Sequence, residues 1–331
     1  MNAVKPASLL LLCACLVPGL GRAQQTYTAS AEILAQQVDR IYTRGMDYLA
    51  RTQQTSGDWP DESFQNSAAI TGLAVISLLA HGDDPNNGPY STAIHRGLDY
   101  LIKQQNTGNG FIGTTMYNHG FATLALAESY GAVNDARLGP ALQRAVKLIL
   151  TSQEMNSFKA WRYSAESRDA DTTVSGAQMV ALLAARNAGV PVPESSIQDG
   201  LRFYYSCQTP DGGIGYTSAG GPNATRTAIG CLVMCLSKQK NTSQFRAAFD
   251  FLKNAGDDGS YPAYSRYYES QAFFQGSPEQ WDRWNHNNIN VIRASQTTEG
   301  SWEGQMGATF NTAASLLSLA LNYRFLPIYE R

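Results

Sequence analysis

A chain of 331 residues with 43 % hydrophobic, 16 % charged and 10 % aromatic side chains carries enough apolar material for a large core. Its formal net charge of −2, with no Lys/Arg block, excludes the electrostatic footprint of a nucleic-acid binder. Twenty-nine glycines against 13 prolines point to regular helices punctuated by glycine turns.

The first segment, residues 1–23, reads as a signal peptide: Lys5 in a short basic region, an apolar run from Leu9 to Val17, then Gly21-Arg22-Ala23 with small residues where a signal peptidase reads. Cleavage is expected before Gln24, which makes the mature chain secreted or periplasmic. The competing expectation is a lipid anchor at Cys15. The apolar run is too short for a transmembrane span. Cys207, Cys231 and Cys235 then remain, an odd number that cannot all pair internally. Cys231 and Cys235 lie four apart in an apolar segment and fit buried packing better than redox or metal chemistry, although one bridge is permitted.

Residues 24–331 are expected to form a single domain of six repeats of about 50 residues. Gly45 to Gln54 followed by Gly57-Asp58-Trp59 is rewritten as Gly97 to Gln105 followed by Gly108-Asn109-Gly110-Phe111. The unit returns at Ala145 to Gln153, at Gly200 to Gln208 before Asp211-Gly212-Gly213, and at Ile292 to Gln296 before Gly300-Ser301-Trp302. A degenerate copy runs from Ala248 to Asn254 before Asp258-Gly259-Ser260-Tyr261, and Gln54, Gln105, Gln153, Gln208, Asn254 and Gln296 mark the period.

Each unit carries a second, nearly uncharged helix, predicted over Ser67 to Ala80, His119 to Tyr130, Thr172 to Ala188, Thr225 to Leu236, Tyr267 to Phe274 and Asn311 to Tyr323. Such helices should be surrounded by protein, whereas the first helices, with Asp47, Arg51, Asp99, Lys103 and Arg202, should face water. An inner ring inside an outer ring closes after six hairpins. The expected fold is therefore all-α, an (α/α)6 toroid, in place of an open solenoid with polar caps.

The Gln-x-x-x-Gly-x-Trp pattern at Gln53 to Trp59 and Gln296 to Trp302 resembles the repeat of the terpenoid cyclase and protein prenyltransferase superfamily. With Tyr267 to Gln275, Trp281 to Asn285 and the end Tyr323 to Tyr329, the chain is similar to secreted prenyltransferase/squalene oxidase repeat proteins. The aromatic after each glycine turn (Trp59, Phe111, Tyr216, Tyr261, Trp302) is expected to stack on a neighbouring helix end while the Gln amide satisfies unpaired helix-terminal groups. Holding the ring together is one role for these tryptophans; sugar stacking is the other.

Chemistry is expected where the inner helices begin, around one central cavity. Candidate ligand-binding residues there are Asn118, Thr172, Arg226, Tyr267, Tyr268, Glu269 and Asn311, with His119 facing the cavity as a structural or catalytic histidine. Helix capping accounts for part of this polarity. Asp169-Ala170-Asp171-Thr172-Thr173 places two carboxylates near a helix start, where one can stay ionised and the other hold a proton. The segment resembles the aspartate-rich motif of squalene-hopene-type cyclases, which implies Asp171 as proton donor and Asp169 as its supporting acid; Thr172 departs from the pattern. The resemblance to prenyltransferase β subunits implies zinc held by Asp, Cys and His, but no cysteine follows Cys235 and only His286 remains there, so no metal or cofactor is expected.

Three functions follow. One is isoprenoid chemistry with cation-stabilising walls at Phe64, Tyr117, Phe121, Tyr267, Tyr268 and Phe310. The alternatives are a carbohydrate-active toroid using Asp169, Asp171 and Glu269, and a non-catalytic binding scaffold. The expected partner is accordingly a hydrophobic or saccharide small molecule.

Overall fold

The computed structural model describes residues 20–60, 67–256, 259 and 261–329; among them the chain is helical, with isolated bridges and no strands. The helices are α1 (Leu20–Thr52), α2 (Ala68–Leu79), α3 (Ser91–Gln104), α4 (Met116–Ser129), α5 (Leu138–Met155), α6 (Thr172–Asn187), α7 (Glu194–Ser206), α8 (Ala224–Leu236), α9 (Ser243–Asn254), α10 (Pro262–Gly276), α11 (Pro278–Ser295) and α12 (Ala308–Ala320). Residues 1–19 of the expected leader lie outside the described residues, as does Phe64. No described helix is long and apolar enough to cross a membrane.

The even-numbered helices pack in the closed order α2, α4, α6, α8, α10, α12 and back to α2, and the odd-numbered helices surround them. This is the (α/α)6 toroid. The inner helices are buried on nearly every side, which is why their polar residues are small and bonded locally: Ser77 donates to Ala74, Thr123 to His119 and Ser129 to Ala125. The outer helices bury one face, as in α3, where Ile94, Gly97, Leu98 and Leu101 are covered while Lys103 is exposed.

The conserved spacing of the repeat has a physical basis in the Gln side chain. Gln53 Nε2 donates to Gly57 O of its own turn and to Ala93 O of α3, both at 2.9 Å. Gln105 bonds Gly110 O and Ala141 O of α5, Gln153 bonds Lys159 O and Ser196 O of α7, and Gln208 bonds Gly212 O and Gln244 O of α9. One amide thus ties a helix end, its turn and the next outer helix, for about 1 kcal/mol per bond. The clamp in the first repeat is Gln53, not Gln54. Asn254 is no clamp either, because its amide donates back into α9 at Asp250 O, 2.8 Å.

The aromatic positions also need correction. Trp59, Trp161 and Trp302 are buried, and their indole N–H groups donate to Leu49 O, Ile149 O and Ile292 O. The equivalent places in the second and fourth repeats hold Ile112 and Ile214, fully buried, rather than Phe111 and Tyr216. Tyr261 is 49 % exposed. Inner-helix starts differ too. α4 begins three residues before His119, capped by Thr115, and α10 begins at Pro262, whose fixed φ suits a first helical position. Tyr267, Tyr268 and Glu269 therefore lie in the second turn of α10 and not at its mouth.

The opposite end of the ring is occupied by the chain itself. A 3-10 turn, Pro327–Tyr329, buries Ile328 and Tyr329 beside α6, and Ile328 N–H reaches Glu128 Oε2 at 3.5 Å. Cys207, Cys231 and Cys235 are free thiols, the first two buried; burial pushes Cys207 up to about 11, so these are packing groups.

Candidate functional site

Asp171 stands at the ring mouth as the N-cap of α6. Its Oδ1 accepts from Thr173 N–H at 2.9 Å, Val174 N–H at 2.8 Å and the Thr173 hydroxyl at 2.7 Å. Such capping needs one oxygen. The other, Oδ2, is buried, accepts no hydrogen bond, and has Arg162 Nε at 3.7 Å. Burial raises the Asp171 pKa, and the Val174, Thr173 and Arg162 contacts oppose the rise. The balance leaves a carboxyl with one oxygen pinned and one able to carry a proton.

A line of hydroxyls runs inward from that carboxyl. Tyr117 OH donates to Thr173 Oγ1 at 2.5 Å, and Thr173 Oγ1 donates on to Asp171 Oδ1. Beyond Tyr117 lie the buried Tyr264 and Tyr268 hydroxyls, Tyr264 interacting with both others, and burial raises all three well above an ordinary tyrosine. Ring contacts continue the wall: Tyr117 stacks on Phe121, Phe121 meets Tyr267, Tyr267 meets Tyr268, Tyr268 meets Tyr264, and Tyr264 meets Phe310. The ring axis is thus lined by aromatic faces next to a buried acid.

Outside Asp171 the rim is cationic and aromatic. Arg162 bonds Asp169 at 2.6 Å and lies over the rings of Tyr163 and Tyr216, whose hydroxyls are 2.9 Å apart. Arg226 covers the same Tyr216 ring at 5.9 Å. Asp169 is mostly exposed and Asp171 fully buried, so one guanidinium separates the two acids instead of the acids sharing a proton. Arg162 and Tyr163 were not among the residues singled out from sequence; the signal for them was the Trp161-Arg162-Tyr163 run that follows the third-repeat turn.

The remaining predicted residues serve other ends. His119 does not face a cavity. Its Nδ1 accepts from Ile112 N–H at 3.1 Å, so Nε2 carries the proton and donates to Ala145 O at 3.0 Å. The same bond is made by Ser175 to Trp161 N–H, Thr227 to Ile214 N–H and Thr312 to Trp302 N–H, so His119 is the second-repeat copy of a brace. Burial lowers it to about 4. Thr172 is consumed by Tyr216 O, Gly215 O and Tyr204 OH. Asn118 joins α4 to Ser67 at 3.0 Å, and Asn311 bonds Gly307 O at 2.7 Å. Tyr267 and Tyr268 belong to the aromatic wall, and Glu269 faces a different part of the molecule. Among the described residues no group of three or more His, Cys, Asp or Glu is placed to hold a metal ion.

A family model described as a domain of unknown function, DUF6288, matches residues 38–245, which include the whole rim and the Asp171 relay. The chain belongs to this family. No curated protein matches it in sequence. Among solved structures, the GH76A α-1,6-mannanase of Salegentibacter sp. HEL1_6 is similar with a TM-score of 0.64 and 10 % identity, over 86 % of this chain and 98 % of that one. An inactive variant of that enzyme, with two aspartates changed to alanine, is in complex with α-1,6-mannotetrose. The type II terpene cyclase MstE of Scytonema is similar with a TM-score of 0.60 and 15 % identity, over 88 % of this chain and 100 % of that one. An aspartate-to-asparagine variant of it holds geranylgeranyl dihydroxybenzoate as substrate. At these identities the likeness is one of fold: the α/α toroid is common to a mannanase, a terpene cyclase and this member of DUF6288.

Proposed function

We propose that this DUF6288 toroid binds an isoprenoid-like small molecule at the ring mouth and that Asp171 acts on it as a general acid. The observation that carries the reading is the split environment of the Asp171 carboxyl, with Oδ1 held by three donors and a buried Oδ2 without a hydrogen bond. The proton would pass from Oδ2 to an alkene carbon; the charge left behind is held by the two backbone N–H groups, the Thr173 hydroxyl and Arg162. The positive charge gained by the ligand would lie against the ring faces of Tyr117, Phe121 and Tyr267. Loss of a proton from the product, returned along Tyr117 and Thr173, restores the acid.

A saccharide is the second reading, favoured by the rim, where exposed Tyr163 and half-buried Tyr216 sit with two guanidiniums in a polar aromatic surface. The carboxylates do not favour it, because Asp169 is held by Arg162 and Glu269 lies elsewhere. With residues 1–23 read as a signal peptide, the activity proposed is that of a secreted or periplasmic protein.

Native mass spectrometry of protein purified from its own host separates the readings. A retained apolar ligand whose conversion stops in Asp171→Asn supports the acid. A retained oligosaccharide overturns the isoprenoid assignment, and a ligand bound equally by Asp171→Asn without turnover in either form reduces the protein to a scaffold.

A further inference from the structure

Five joints of the outer ring are closed by a Gln clamp of one geometry, and among the described residues the sixth, from α9 to α11, has no such clamp. Each outer helix has an equivalent position in the repeat register: Gly45, Gly97, Ala145, Gly200, Ala248 and Asn288. The clamping Gln stands eight residues later, and the carbonyl that it bonds stands four residues before the equivalent position of the next outer helix, at Ile41, Ala93, Ala141, Ser196 and Gln244. By this register the α9 clamp falls on Gly256, and its acceptor on Trp284 of α11. Gly256 has no side chain to donate, and a Cβ there would meet nothing within 4 Å.

At the joints with a glycine turn, the turn adds a second contact to the clamp. A Cβ on Gly57, Gly110, Gly212 or Gly300 would come within 2.2, 2.6, 2.2 and 2.3 Å of a carbonyl of the next outer helix, so these turns press against it. α9 packs on α8 and meets α10 through Phe249, whose ring lies 5.8 Å from that of Phe273 and against Gly276. The space left open is a cavity of about 300 Å³, at the lower end of ligand pockets, lined by Gly256, Trp284 and Asn287 and by the charged Lys253, Arg266 and Glu269.

The charges define what fits. Arg266 and Glu269 lie three apart on α10, where side chains are neighbours, yet they make no ion pair with each other, and Arg266 makes none with any described residue. Glu269 is held in place by Ser265 Oγ at 2.8 Å and Trp284 Nε1 at 3.2 Å, with lone pairs to spare. Lys253 is occupied by Asp250 at 2.6 Å. Phe273, 5.9 Å from Trp284 between ring centroids, closes the space with an apolar wall. A neutral sugar would leave Arg266 unpaired, and a plain anion would face Glu269. A molecule with both charges a few ångströms apart satisfies both groups.

We propose that the open α9/α11 joint is a binding site for a zwitterionic ligand of amino-acid size, its carboxylate on Arg266, its ammonium on Glu269 and its side chain against Phe273 and Trp284. The site is separate from the Asp171 mouth and does not depend on the reading given for it.

The test is titration calorimetry of the full chain with the twenty free L-amino acids, then with the amide and N-acetyl forms of the tightest. At least one amino acid is expected to bind one to one, and removing either of its charges should weaken it about tenfold or more. Arg266→Gln and Glu269→Gln should each weaken it by a similar factor. Gly256→Gln should rebuild the clamp, raise the melting temperature and abolish binding. The proposal is overturned by a panel in which nothing binds, by uncharged derivatives or charge variants that bind as well as the parent, or by a Gly256→Gln protein that melts higher and still binds.

Discussion

Gln296 on the last outer helix donates its amide to Ile41 O on the first, at 3.0 Å across 255 residues of sequence. The same amide holds Gly300 O at 2.9 Å, and Arg44 and Arg51 of α1 bond backbone carbonyls of the Thr297 to Glu299 turn. A ring has to be joined somewhere, and the join is made with the device used at four other joints. Gln296→Ala removes two hydrogen bonds and should cost about 2 kcal/mol. Gln296→Glu should cost more, because a carboxylate would face two carbonyl oxygens. Thermal melts of the two variants check the order; an alanine variant that melts with the parent would remove the clamp from any role in closure.

Gly212 sits at φ +95°, and a Cβ on it would lie 2.2 Å from Ala247 O. Both the backbone conformation and the backbone neighbour oppose a side chain. Gly212→Ala is expected to cost about 3 kcal/mol or more, through strain and separation of the turn from α9. Gly220→Ala, where a Cβ meets nothing within 4 Å and φ is ordinary, should change stability by less than about 0.5 kcal/mol. Chemical denaturation midpoints of the pair give the comparison.

The ring was legible because its signal is repetitive: five Gln side chains recur at one helical position, four of them with a glycine turn a few residues on and Gln153 with Lys159 in the glycine's place. Registers inside a repeat were less so. Phe111 and Tyr216 look like the aromatic of the motif, but the buried slot is two residues after the glycine and takes Ile112 and Ile214. His119 looks catalytic by residue type, yet its place is the one where other repeats use Ser175, Thr227 and Thr312, so any acceptor serves. Asp171 stands out in the sequence because a cap and an acid leave the same trace, and the structure places it as the cap of α6. That Arg162 lies between Asp169 and Asp171 depends on how a turn folds over a helix start, which residue spacing does not encode.

Asp171 separates capping from chemistry by substitution. Asp171→Asn retains an oxygen for Thr173 and Val174 N–H, so its stability should stay within about 1 kcal/mol of the parent. Asp171→Ala removes the cap and should cost about 1 to 2 kcal/mol. Neither estimate involves function. If the Asn variant retains full turnover of a host-derived ligand, the buried Oδ2 has no chemical role.

The last prediction concerns pH, where two buried groups on α4 act with opposite sign. Burial lowers His119 from the ordinary 6.5 to about 4, against the bond to Ala145 O, so the folded chain binds fewer protons than the unfolded one between those values. That contribution is complete above pH 6.5 and is lost as pH falls towards 4. Burial raises Glu128 from 4.5 to about 7, against the Ile328 N–H bond, so the folded chain binds more protons there. Its contribution is complete below 4.5 and is lost as pH rises towards 7. Each shift corresponds to about 3 kcal/mol, and between pH 4.5 and 6.5 the two slopes oppose each other. Glu128→Gln keeps an acceptor for Ile328 N–H but cannot titrate, so its stability relative to the parent should rise with pH across that window by about 3 kcal/mol. His119→Gln should do the reverse, its stability relative to the parent falling as pH rises. Urea denaturation of the three proteins at half-unit pH steps measures the difference curves directly, and a flat difference for Glu128→Gln would mean that Glu128 is charged in the folded ring.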